Sequence, residues 1–166
     1  MTRNFTLRGA VAGLVTGIVV TAYTYIKWNT IEKLVIELVK IQVPGETVQE
    51  AIAKTLATLE FTKPLIPIYN IVAMTVVGAL FGLLATYLAT KIETRDYVIA
   101  IATGLTYTAL TTAPALTLNP QILSTVLKYI PLQEVLLPGI TYTTTLTILS
   151  TRGPWREIEE VKPKIY

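Results

Sequence analysis

Three side chains stand out as candidates for chemistry because they are polar and fall in or beside long apolar runs: Asn70, Lys128 and Glu134. An ionisable group in a membrane is costly and is kept close to water or to a partner, so it is the usual pointer to an ion pathway or a proton relay. Glu134 is the acid of the last apolar stretch, Lys128 precedes it closely enough to pair with it, and Asn70 holds the corresponding place in an earlier stretch. The correspondence rests on two short matches. Ile66-Pro67-Ile68-Tyr69-Asn70-Ile71-Val72 resembles Ile130-Pro131-Leu132-Gln133-Glu134-Val135-Leu136, and Thr2-Arg3-Asn4-Phe5 resembles Thr94-Arg95-Asp96-Tyr97. Read as a parallel repeat, each half is an outward span, an outer amphipathic section and an inward span opened by Ile-Pro. Asn70 and Glu134 then stand at matching depths and can line a polar vestibule with Lys128. The plainer reading of Glu134 is an interfacial acid at a helix N-terminus, where the helix dipole favours negative charge.

Other chemistry is excluded by what the chain lacks. It contains no Cys and no His, which removes thiolate nucleophiles, disulfides, zinc fingers, His-ligated haem and imidazole bases together. Phosphate loops and paired intramembrane acids are also missing, and the connection Lys91-Ile-Glu-Thr-Arg-Asp96 is too short and too balanced in charge to build a pyrophosphate site. The expectation is a protein with no catalytic residue, no metal and no cofactor, which is not an enzyme.

The elements that must position these residues are membrane helices. Of 166 residues 52% are hydrophobic and only 15% charged, against roughly 25% charged in soluble domains, and the mean hydropathy is +0.55. The net charge of +3 is carried by Lys and Arg that flank apolar runs, which makes them topology signals and argues against a nucleic-acid partner. Thr is abundant, at 27 residues against 2 Ser, 4 Asn and 4 Gln, a pattern poor in thermolabile residues that suggests a thermophilic source.

The expected fold is an all-α integral membrane protein with four transmembrane helices at about 9–26, 64–90, 97–118 and 132–150, forming a single membrane domain. Gly9 to Ile26 lies between Arg8 and Lys27 and is longer than the apolar region of a signal peptide, so it is read as a retained span. Lys128 at the bilayer centre would cost roughly 2.5 to 3.5 kcal/mol on insertion scales, so the last stretch is divided at Pro131 into an outer interfacial helix, 120–130, and a span kinked at Pro138-Gly139. Arg3, Arg8, Lys91, Arg95, Arg152, Arg156, Lys162 and Lys164 gather on one side, which sets both termini in the cytoplasm of a plasma-membrane protein, with a cytoplasmic tail from 151 to 166. Tyr23, Tyr25, Trp28, Tyr69 and Tyr129 then form an outer aromatic belt, and Phe5, Tyr87, Tyr97 and Trp155 an inner one.

The long outer connection, 29–62, reads as an amphipathic hairpin. Ile31, Leu34, Val35 and Leu38 share one helical stripe, Pro44-Gly45 breaks the helix, and Thr47-Val-Gln-Glu50 fits a capping box that opens a second helix with Val48, Ile52, Leu56 and Leu59 on its stripe. Glu50 and Lys54 are spaced as an i, i+4 pair. Acids and bases nearly cancel here, whereas helices lying on lipid usually carry an excess of Lys and Arg.

Glycine spacing supplies the packing surfaces. Gly9, Gly13 and Gly17 lie on one face of the first span, and Gly78 and Gly82 on one face of the second; such small faces allow backbones to approach closely in lipid. They serve packing within the chain or contact with another subunit. Two functions fit: a non-catalytic structural or accessory subunit of a homo- or hetero-oligomeric membrane assembly, whose partners are the bilayer and other membrane subunits or a second copy; or a small transporter or channel with an outer vestibule at Asn70 and Glu134.

Overall fold

A computed structural model describes residues 4–151 except Pro44, Glu46, Glu93 and Leu118, and only the backbone of residues 114–116. The tail expected from 151 onward, with Trp155 and its basic residues, therefore lies outside the described residues from 152 on, as does Arg3. All regular structure among the described residues is helical: α1 (Phe5–Ile26), α2 (Trp28–Gln42), α3 (Val48–Thr62), α4 (Ile66–Lys91), α5 (Asp96–Leu116), α6 (Pro120–Tyr129), α7 (Leu132–Val135) and α8 (Leu137–Thr151).

Two helices are long and apolar enough to cross a membrane, Phe5–Ile26 and the continuous run Val48–Lys91. At about 1.5 Å per residue, α1 measures about 33 Å, and the 44 residues of Val48–Lys91 extend well past a hydrocarbon core of about 30 Å. α3 and α4 are joined without interruption by a tight helical turn, Lys63–Leu65. Pro64 and Pro67 account for that tightening, since neither can donate to the carbonyl four residues back. The Lys63 carbonyl, which Pro67 cannot reach, accepts from the Ile66 amide and from the Tyr25 hydroxyl at 3.0 Å.

Four helices, α1, α4, α5 and α8, form a closed ring. α1 packs on α4 and α8, and α5 packs on α8 and α4. α2 packs on α3 and α6, making a second layer at the hairpin end. Phe5, Ala12, Ala85, Ile99, Ala100, Tyr107, Tyr142 and Leu146 form the core of the ring. Outside it, α4 leaves Ile68, Tyr69, Val72, Val76, Leu80, Leu83 and Tyr87 exposed along one side, continuing Leu65 of the preceding turn.

Several boundaries differ from the sequence reading. α1 starts at Phe5, ahead of Gly9, because Asn4 caps it by accepting from the Thr6 amide at 3.1 Å while the Phe5 amide finds the Thr86 hydroxyl at 3.0 Å. Arg8 is thus inside the helix and 2% exposed, no longer a flanking charge. α3 does begin at Val48, but Thr47 makes no capping bond. The chain turns instead at Gly45, whose φ of +117° suits a residue without a Cβ. Glu50–Lys54 is not among the ion pairs of the described residues. The segment expected as one span from Leu132 is divided at Leu136 into α7 and α8. Pro138 is the cause, for it has no N–H to offer the Glu134 carbonyl and its ring crowds that carbonyl.

Candidate functional site

The polar residues of the hairpin end come together at a meeting of two joints. Lys27 is the single residue between α1 and α2, with a bent backbone (φ −96°, ψ 13°), and Glu134 sits on the one-turn helix α7 between Pro131 and the break at Leu136. The Tyr23 hydroxyl donates to Glu134 Oε2, and Lys27 Nζ lies 3.0 Å from Oε1. Tyr23 and Lys27 are four apart and so stand on the same side at the end of α1. Glu134 stands on α7, ahead of α8. The Tyr23 hydrogen bond first, and then the hydrogen bond and charge of Lys27, hold its carboxyl below the ordinary carboxylate value.

Asn70 and Lys128 lie elsewhere. Asn70 Nδ2 reaches Thr21 Oγ1 at 3.5 Å. At about 100° per residue, Tyr23 and Lys27 are turned about 200° and 240° from Thr21 around α1, so Asn70 and Glu134 meet different faces of that helix. The ammonium of Lys128 lies over the ring of its neighbour Tyr129 at 5.8 Å. The partner expected for Glu134 was Lys128; its partner is Lys27, because α7 brings the acid to the end of α1 while the Lys128 ammonium lies over Tyr129.

The glycines line the α1/α4 contact. A Cβ on Gly17 would stand 2.7 Å from Ile71 Cα, one on Gly13 3.0 Å from Thr75 Cα, one on Gly9 2.7 Å from Gly82 Cα and one on Gly78 2.8 Å from Gly13 Cα. The two backbones touch, and the face of α1 that could have met another subunit is occupied by α4. Gly82 likewise meets Thr6 Cα, at 3.0 Å.

A second close contact, of glycine against threonine side chain, joins α5 to α8. A Cβ on Gly104 would stand 2.7 Å from Thr143 Cβ, and one on Gly139 2.7 Å from Thr108 Cβ. Each threonine hydroxyl returns to the glycine carbonyl of its own helix, Thr108 to Gly104 at 2.8 Å and Thr143 to Gly139 at 2.7 Å. Between these contacts Tyr107 and Tyr142 stack at 4.1 Å, with Phe81 edge-on to both. Tyr142 donates to the Gly78 carbonyl at 3.0 Å and Tyr107 to Met74 Sδ at 3.2 Å, so the α5/α8 pair is tied into the α1/α4 contact. At the opposite end of the ring Arg8 Nη1 meets Asp96 Oδ2 at 3.0 Å, joining α1 to the first turn of α5.

Sequence reasoning missed Arg8, Asp96, Tyr107, Tyr142, Gly104 and Gly139. A signal was present for most of them. Gly104-Leu-Thr-Tyr-Thr108 and Gly139-Ile-Thr-Tyr-Thr143 are nearly the same pentapeptide, and Gly9-Ala-Val-Ala-Gly13 and Gly78-Ala-Leu-Phe-Gly82 share their spacing. Matching segments on antiparallel helices can meet reciprocally, which is what both pairs do.

Chemically, the Tyr23–Lys27–Glu134 cluster holds elements together. Both carboxylate oxygens are engaged, and a neighbouring ammonium opposes the capture of a cation or a proton near neutral pH. Among the described residues no three of His, Cys, Asp or Glu gather as a metal site. Comparison with family models, curated proteins and solved structures finds no match to this chain.

Proposed function

We propose that the chain is a four-span plasma-membrane bundle of α1, α4, α5 and α8 that acts without catalysis, as a structural or accessory subunit of a homo- or hetero-oligomeric assembly. Both termini lie on the cytoplasmic side in this reading, with α2, α3 and α6 outside. The observation that carries it is the interior of the ring. α1 and α4 meet backbone to backbone at glycines, α5 and α8 pack glycine against threonine, a stacked tyrosine pair fills the centre, and ion pairs join elements at the two ends. An interior built that way supports rigidity. The exposed apolar side of α4 and the charged surface of the outer layer are the surfaces left for lipid and partner subunits.

Gentle extraction followed by native mass spectrometry tests this reading. The expected result is a mass well above the 18.2 kDa of one chain, from further copies or from foreign subunits. A monodisperse single chain with no retained partner would contradict it. A transporter or channel is the weaker reading, because Asn70 and Glu134 meet different faces of α1 and line no common path. Reconstituted vesicles separate the two, since Glu134→Gln alters flux only if the acid belongs to a conduction path.

A further inference from the structure

We propose that the Tyr23–Lys27–Glu134 cluster is an acid-released latch that fixes how the outer layer stands on the bundle. Four observations on the two joints lead there. Lys27 is the hinge residue between α1 and α2, and its backbone departs from helical geometry at that one position. α7 is a single turn isolated between Pro131 and the break at Leu136, so it is the hinge between α6 and α8. α6 packs on α2, so movement at either hinge is shared by both. Glu134 binds the two hinges to each other, taking the Tyr23 hydroxyl on one oxygen and the Lys27 ammonium on the other.

The chemistry of release follows from the carboxylate. Ionised, it accepts from both partners; protonated, it loses its attraction for Lys27 and one oxygen becomes a donor. The groups facing it are Tyr23 from α1 and Lys27 at the α1/α2 joint. α8 offers no acid or base among its described residues except Tyr142, which is bonded to Gly78. Lys128 on α6 lies over Tyr129, and Glu32 on α2 and Glu60 on α3 are engaged with the indole of Trp28. The carboxyl titrates below its ordinary value of 4.5 because its partners favour the charged form. A depressed carboxylate contributes its hold above the ordinary value and loses it as pH falls through the lowered one. The latch is therefore closed at neutral pH and opens in acid.

The absence of native Cys permits a direct test with the whole chain in lipid nanodiscs. Spin labels at Lys33→Cys on α2 and Ile140→Cys on α8, both at exposed positions, report the distance between outer layer and bundle. The expected result is a narrow distribution at pH 7 that broadens below pH 4.5 while helicity by circular dichroism is retained. Glu134→Gln should be broad at both pH values, and Tyr23→Phe, which keeps the ion pair, should move the transition to higher pH. A distribution unchanged by acid would overturn the proposal. So would a narrow distribution in Glu134→Gln at pH 7, or a transition that Tyr23→Phe leaves in place.

Discussion

Single residues decide how the two helix pairs are joined. Tyr142 crosses from α8 to the Gly78 carbonyl, so Tyr142→Phe keeps the stacked ring and loses one hydrogen bond, worth about 1 kcal/mol. Reversible unfolding in mixed micelles should show a loss of that order, with helicity unchanged. The Arg8–Asp96 pair predicts an asymmetry. Arg8 is 3% exposed at its side chain and Asp96 23%, so removing the acid leaves a guanidinium far from water, whereas removing the base leaves an acid that water can reach. Asp96→Asn should therefore cost more than Arg8→Met. Equal losses, measured in the same micelles, would mean that the burial of Arg8 does not set the energetics.

At the scale of elements, what matters is backbone contact. In lipid there is little hydrophobic drive between helices, so packing depends on how closely they approach. Gly9, Gly13, Gly78, Gly104 and Gly139 are each positioned so that a Cβ would overlap the facing helix. Alanine at Gly13 or Gly78 should cost about 1–3 kcal/mol through forced separation, and Gly13→Ala together with Gly78→Ala should cost less than the sum, because one separation of α1 from α4 accommodates both. Gly45 is the contrast. Nothing lies within 4 Å of its Cβ position, and alanine there strains only a turn with positive φ.

This is also the scale at which the sequence was most legible. The helical character, the apolar runs that became α1 and α4, and the Asn119-Pro120 start, where Asn119 accepts from the Gln121 amide at 2.9 Å, could all be read from local pattern. Pairings between distant segments could not. Lys128 is nearer to Glu134 in sequence than Lys27, yet the break at Leu136 aims the acid at α1. Arg8 read as a flanking charge because the cap that carries α1 back to Phe5 depends on Asn4 and on Thr86 of a distant helix.

Across the whole molecule, the two halves are built alike. α1 with α4, and α5 with α8, are antiparallel pairs closed by reciprocal glycine contacts, and each half places amphipathic helices between its pair. The halves differ in reach, for Val48–Lys91 continues past the bundle as one helical run, while the second half turns back through the short α6 and α7. The outer layer is thus an extension of the first half braced by the second. In the proposed assembly, partner subunits docked on it should protect α2, α3 and α6 from hydrogen exchange relative to the isolated chain, and unchanged protection there would send the search to the exposed side of α4.

The proposed four-crossing arrangement is tested most directly by the side of the membrane on which single introduced cysteines react. Impermeant maleimide added to intact cells should label Lys54→Cys and Gln121→Cys, and should reach Lys91→Cys, Arg95→Cys and Thr151→Cys only after the membrane is opened. Labelling of all five from one side would contradict the arrangement, and with it the reading of this protein as a bundle that works by assembly.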